Sequence, residues 1–228
     1  MHAFRNLSNY LIIMLNKLQS LGLILLLAAC NPEPKNTKTT DSFKHLWHDF
    51  DAKKEVLFQV AVEIPAGTQI KFEIDKESGI LMAEQINADS IRTINYLPYP
   101  ANYGIIPRTL SPKNSGGDGD PLDVFLLGPT RPSGSIQSGL VIGYIEMLDA
   151  GEEDDKILLA DATGNFNKVA GIADLRNRYP GVLEIIETWL LNYKGNKAIE
   201  ILQIHDRDEA IKKIEQAQNA YQKEFRQP

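Results

Sequence analysis

The sequence has a single cysteine, Cys30, in 228 residues, so no disulfide can close within the chain. It has no surplus of positive charge: 24 basic residues face 30 acidic ones, for a formal net charge of -6. No basic stripe runs along it, which argues against nucleic acid as a partner. No segment recurs at a fixed period, so a solenoid or propeller is excluded. The longest apolar run, Leu21 to Cys30, is about 10 residues, too short to span a bilayer. What remains is ordinary globular material, with 43% hydrophobic and 24% charged residues, enough for one core.

That apolar run, "LGLILLLAAC", suits the h-region of a signal peptide. "LAAC" resembles the lipobox of bacterial lipoproteins, in which the cysteine is lipidated and becomes the first residue. Starting at Met14 gives "MLNKLQSLGLILLLAAC", a better signal than one starting at Met1. The alternative is a cysteine that merely follows an apolar stretch. Residues 1–29 carry Arg5 and Lys17 and no acid, so their removal takes the charge from -6 to -8. "NPEPKNTKTTD", Asn31 to Asp41, is polar with two prolines and reads as a tether. About 11 flexible residues reach roughly 20 Å, which keeps an anchored domain near its membrane. The expected organisation is a signal peptide at 1–29, Cys30 and tether at 30–41, and one domain at 42–228.

The domain reads as strands first and helices later. "EVLFQVAVEIP" is a Val-rich strand stopped by Pro65. In "IKFEID", Ile70, Phe72 and Ile74 alternate with Lys71, Glu73 and Asp75. "KESG" turns the chain into "ILMAEQI", completing a predicted meander. "DVFLLG", "GLVIGYIEML" and "KILLAD" are apolar runs of strand length, and "AIEILQI" is a late strand. Between them, Asp174 is a candidate helix cap, and Val182, Ile185, Ile186, Trp189 and Leu190 form a helical stripe. "DRDEAIKKIEQAQNAYQKEF" is a polar amphipathic helix. The predicted class is α+β, a small barrel with helices packed on it.

The chemistry concentrates in "GGDGDPLDVFLLG", Gly116 to Gly128. Residues two apart in extended chain point the same way, so Asp118 and Asp120 face one point. Gly119 permits a tight bend, and Pro121 keeps Asp120 out of the helical region. Asp123 sits where the next strand starts. Converging carboxylates raise one another's pKa unless a cation intervenes. Oxygen-only donors favour Mg²⁺, Mn²⁺ or Ca²⁺. An EF-hand is excluded, because the later Gly and the Glu at loop position 12 are missing. A solvated acidic turn is the bland alternative.

A second acidic loop, "MLDAGEEDDK", lies between two strands and adds Asp149, Glu152, Glu153, Asp154 and Asp155. Lys71 and Glu73 share a polar strand face. Arg92 precedes "NYLPYPANYG" with Tyr99 and Tyr103, and Tyr193 and Lys194 end a helix. Metals with Lys, Arg and Tyr match a small polyphosphate anion, whose oxygens need bridging cations and fixed donors. Taken singly, each of these residues also fits a surface charge or a core edge.

"DGDPLD" resembles the motif of soluble family I inorganic pyrophosphatases. "VEIP", "IKFEIDKESG", "YPANYG", the "D….D.K" of the second loop and "YK" follow in that family's order, over residues 55 to 206. The resemblance implies an OB-like five-stranded antiparallel β-barrel with flanking α-helices, and hydrolysis of pyrophosphate with several Mg²⁺ ions, Mn²⁺ substituting. Matched position by position, it implies metal ligation by Asp118, Asp123, Asp154, Asp149 and Glu63. Asp120 matches the general base. Lys71, Arg92, Tyr193 and Lys194 match phosphate-binding positions, and Glu73, Tyr99, Tyr103 and Lys156 match further active-site positions. "SPKNSGG" lengthens the loop before Asp118 relative to compact bacterial members, and the Arg92-to-Tyr99 spacing is one residue shorter than theirs.

The family forms homo-oligomers, and one is expected here. With Cys30 lipidated, the protein sits in the cell envelope facing the periplasm; left unprocessed, it is cytoplasmic. The competing function is an inactive envelope lipoprotein that binds cations or phosphate. A module needing only metal has no use for Lys71, Tyr193, Lys194 and Asp120.

Overall fold

The computed structural model describes residues 43–195 and 198–226. The signal peptide, Cys30 and the tether expected at 1–41 lie outside the described residues. Residues from Phe43 on form one compact unit.

Its strands are β1 (Lys53–Lys54), β2 (Leu57–Ile64), β3 (Phe72–Ile74), β4 (Leu81–Ala83), β5 (Gln85–Asn87), β6 (Ser90–Ile91), β7 (Asn102–Ile105), β8 (Asp123–Leu127), β9 (Ile136–Asp149), β10 (Glu152–Glu153), β11 (Lys156–Asp161) and β12 (Ile199–Asp206). The helices are α1 (Ile172–Arg178), α2 (Val182–Asn192) and α3 (Arg207–Phe225), with a 3₁₀ turn at Lys113–Ser115.

Five strands close a ring: β2 pairs with β7, β7 with β8, β8 with β11, β11 with β9, and β9 with β2. The barrel is therefore mixed, not antiparallel as expected. β8 and β11 run parallel, with Asp123 opposite Lys156. An odd ring of strands cannot alternate direction all the way round, so closure with five requires at least one parallel pair. β12 adds to β9 outside the ring.

Of the predicted meander only the hairpin across "KESG" forms, and it does not pair with β2. β3 pairs only with β4, and "ILMAEQI" breaks into β4 and β5. The break falls at Glu84, whose N–H donates to the Lys71 carbonyl while its own carbonyl accepts from Arg92 N–H. A small separate hairpin therefore carries Lys71 and Glu73.

The unbroken apolar runs reflect strands buried on both faces. Along β8 and β11, Phe125, Leu127, Leu158 and Ala160 join one core with α1 and α2. Their neighbours Val124, Leu126, Ile157 and Leu159 join another with Ala210, Ile214 and Ala217 of α3. Asp174 is not the helix cap: Gly171 holds that place, and the Asp174 carboxylate sits in the first turn with Arg178 and the Ala170 N–H. Pro180 and Gly181 then split the predicted helix, because proline cannot continue the ladder and Gly181 takes a positive φ of 87°. Asp206 caps α3 at Arg207 N, and its Oδ1 also accepts from Ile172 N at 2.9 Å.

Candidate active site

The loop before β8 is built as its glycine suggests. Gly119 takes φ +84°, and Asp118 Oδ1 accepts from Asp120 N at 2.9 Å. This turn aims both aspartates into a cavity of about 380 Å³, and Asp123, the first residue of β8, joins them. Opposite, Asp149 ends β9 and Asp154 precedes β11. Ala150 (φ 52°) and Gly151 (φ 92°) turn the short hairpin between them.

Glu63 reaches the same cavity through a β-bulge. The β2–β7 register slips between Val62 and Ile64, leaving Glu63 as the extra residue, and bulges of this kind re-aim a side chain. Gly104 makes the close approach possible, since a Cβ there would lie 2.0 Å from the Ala61 carbonyl oxygen. Glu63 is buried, and its Oε1 accepts from Ile74 N at 2.8 Å. Burial, helped by the nearby Asp123, pushes its pKa up to about 8.

Lys156 lies buried among the acids. Its Nζ is 2.6 Å from Asp123 Oδ2 and also pairs with Asp154. Burial works against its charge, but the two aspartates outweigh it and raise its pKa. Asp123 itself is raised by burial, against the pull of Lys156 and a hydrogen bond from Tyr103, with Asp154 adding to the rise. Asp118 is raised too, by burial and then by Asp154.

The cationic side is a linked set. Lys71 pairs with Glu73, and with Glu84 at 2.7 Å; Glu84 in turn holds Arg92 Nη1 at 2.8 Å. Lys194 pairs with Asp149, and Lys76 with Asp120. Tyr193 stacks on Trp189 at 4.4 Å and 5°, and Trp189 packs against Tyr99 at 4.5 Å. The indole N–H donates to the Leu97 carbonyl at 2.8 Å, fixing this aromatic wall. Burial raises the pKa of Tyr99, Tyr103 and Tyr193, so all three keep their protons as hydrogen-bond donors.

All fourteen residues that the family resemblance assigns to the site line this one cavity, Arg92 among them; of the other acids in the second loop Glu152 and Glu153 line it and Asp155 does not. Glu84, Lys76 and Trp189 complete the arrangement. In the sequence Glu84 reads as part of a strand, Lys76 as part of a turn and Trp189 as an apolar stripe position. Only the helical stripe, which reaches Tyr193 four residues after Trp189, carried a signal for any of them.

Nine acidic and five basic residues line the cavity, a surplus of four negative charges when all are ionised. Among the described residues, no three acids stand so as to hold an ion as they lie, and Lys156, Lys194 and Lys76 stand among them. The donors nonetheless fit Mg²⁺, because all are hard oxygens.

Residues 60–222 match the family model described as inorganic pyrophosphatase, which extends the sequence resemblance through most of α3. The chain is 32% identical over 188 residues to soluble inorganic pyrophosphatase 2 of Chlamydomonas reinhardtii, covering 79% of this chain and 90% of that protein. It is 31% identical over 182 residues to a soluble inorganic pyrophosphatase of Oryza sativa subsp. japonica, covering 78% and 79%. The type I inorganic pyrophosphatase of Toxoplasma gondii superposes with a TM-score of 0.74 at 26% identity, over 79% of this chain and 88% of that one. The Schistosoma japonicum inorganic pyrophosphatase gives 0.72 at 26%, over 78% and 71%. With a family model matching residues 60–222, relatives above 30% identity and one cavity gathering the fourteen matched residues, the chain belongs to the inorganic pyrophosphatase family.

Proposed function

We propose that this protein hydrolyses inorganic pyrophosphate to two orthophosphates with the help of Mg²⁺. The observation that carries the reading is the single cavity in which Arg92 and thirteen residues from six separate motifs meet, with more carboxylates than cations. Asp118, Asp123, Asp149, Asp154 and Glu63 would hold the ions. Bound there, they would lower the pKa of an attacking water and offset the charge on the phosphate oxygens. Lys76 and Lys194, which pair with Asp120 and Asp149, have long, flexible stems that would let them move to the phosphate oxygens.

Asp120 is the general base. It accepts the proton as the water oxygen attacks one phosphorus and the bridging P–O bond breaks. Lys71, Arg92, Lys194 and the Tyr193 hydroxyl donate to phosphate oxygens and stabilise the charge that develops on the leaving phosphate. Glu84 and Glu73 hold Lys71 in place, and Glu84 does the same for Arg92. Lys156 and Tyr103 fix Asp123. The wall of Tyr99, Trp189 and Tyr193 keeps bulk water from that side. Asp120→Asn should lower kcat by about 10²- to 10⁴-fold while circular dichroism and melting stay native. A wild-type protein that releases no phosphate with Mg²⁺ or Mn²⁺ sinks the reading.

The mature protein is, on this proposal, a lipoprotein attached to the cell envelope through Cys30, with the domain at 42–228 facing the periplasm and associated as a homo-oligomer. The "LAAC" motif and polar tether support the anchor, and the family resemblance supports the oligomer. Among the described residues no helix is long and apolar enough to cross a membrane. Mass spectrometry of the mature N-terminus tests this: a diacylated or triacylated Cys30 is expected, and an unmodified Met1 or Met14 ends it.

A further inference from the structure

The hairpin that carries Asp149 and Asp154 has a second buried carboxylate that the reaction does not use. Asp154 and Asp155 are consecutive, and in extended chain consecutive side chains point to opposite sides. Asp154 faces the cavity with Lys156. Asp155 faces away from it, into the protein, with its side chain 2% exposed. There its Oδ1 accepts from Met147 N at 3.1 Å, and its Oδ2 lies 2.6 Å from Lys213 Nζ. Lys213 belongs to α3 and also pairs with Glu153 of the same hairpin.

The surroundings make this a rigid connection. α3 is seated in the core by Ala210, Ile214 and Ala217 on the turns flanking Lys213. Asp154 N donates to the Met147 carbonyl at 3.1 Å, so both backbone groups of Met147 are taken by successive residues of the hairpin. The backbone that aims Asp154 is therefore held from behind by a helix whose sequence lies about 60 residues away.

A buried ion pair is poor evidence of a purely stabilising role, because well-packed apolar residues of similar volume do as well or better. What it supplies is direction. Partners behind a metal-binding side chain fix its orientation, and losing one weakens metal affinity or activity by roughly 10- to 100-fold. We propose that the Asp155–Lys213 pair is a positioning device for Asp154, which sets how tightly the cavity takes up Mg²⁺. The proposal rests on the functional reading above for the role of Asp154.

The test is calorimetric titration of the full-length protein with Mg²⁺, beside the Mg²⁺ dependence of pyrophosphate hydrolysis. Lys213→Met should raise the Mg²⁺ dissociation constant roughly 10-fold or more, and Lys213→Arg should restore most of the affinity. The double variant Asp155→Asn/Lys213→Met removes the two charges of the pair together and keeps an acceptor for Met147 N, so it should melt above Lys213→Met yet keep the weakened Mg²⁺ binding. If Lys213→Met and the double variant lower only the melting temperature and leave Mg²⁺ affinity unchanged, the pair is structural and the proposal falls. A wild-type protein that takes up no Mg²⁺ overturns it as well. A wild type that binds Mg²⁺ without hydrolysing pyrophosphate defeats the functional reading instead, and the titration still reads the effect of the Asp155–Lys213 pair on Mg²⁺ affinity.

Discussion

The parallel pair β8·β11 has an aspartate near each end, and the two ends are electrostatic opposites. At the start, Asp123 and Lys156 face each other among further carboxylates, and Asp123 has its pKa pushed up. At the finish, Asp161 is met by one guanidinium with two donors: Arg131 Nε at 2.6 Å and Nη2 at 2.8 Å. Thr163 adds backbone and hydroxyl hydrogen bonds, both at 2.9 Å. Burial works against that charge too, but Arg131 and Thr163 outweigh it and hold Asp161 below the ordinary carboxylate range. A matched end needs nothing more and serves the fold. An end with surplus carboxylates is unfavourable by itself and becomes favourable when cations arrive, which is how a ligand site differs from a structural ion pair.

The largest break in this contrast should come from the matched end. Asp161→Asn strands Arg131 and should cost about 3 kcal/mol in urea unfolding, with the intact active site still turning over substrate. Its pH dependence has a fixed sign. A carboxyl that titrates near 3.8 when unfolded and lower when folded contributes stability above that value and loses it as the pH falls through the folded pKa. Wild type should therefore lose stability below about pH 4 by an amount that Asp161→Asn lacks.

Next in size, Mg²⁺ itself should convert the surplus end into a matched one. At a free concentration 100 times its dissociation constant it should stabilise the protein by about 2.7 kcal/mol, read as a rise in melting temperature that a chelator reverses. A melting temperature indifferent to Mg²⁺ would remove the reason for the surplus.

The smallest effect is the most diagnostic. Asp118→Asn relieves repulsion at a carboxylate raised by burial and by Asp154, so the metal-free protein should gain up to about 1 kcal/mol. The same variant should lose hydrolysis and most of the Mg²⁺-dependent rise in melting. Destabilisation of the metal-free variant would mean that the acids at this end are already compensated.

Much of the site was legible because its chemistry is local. Asp118, Gly119 and Asp120 make their turn within three residues, and "DDK" places Asp154 and Lys156 on one side by strand alternation alone. Glu63 had no such local signal: its direction depends on a bulge set by the pairing of β2 with β7. Lys213 was likewise one more charge on a polar helix until α3 packed behind the hairpin. The hairpin of "IKFEID" with "ILM" follows from the local "KESG" turn, whereas β2, the other strand of the expected meander, pairs elsewhere, and no local pattern specifies its partners.

The sequence by itself determined the residue types, the acidic turn, the doubly buried strands and the order of motifs, since these follow from side-chain chemistry and short-range geometry. Tertiary structure alone decided the parallel β8·β11 pair, the bridging of Lys71 and Arg92 by Glu84, and the link from Asp155 to Lys213. Each depends on which distant segments meet when the barrel closes, and ring closure with five strands is a property of the whole chain that no local pattern encodes.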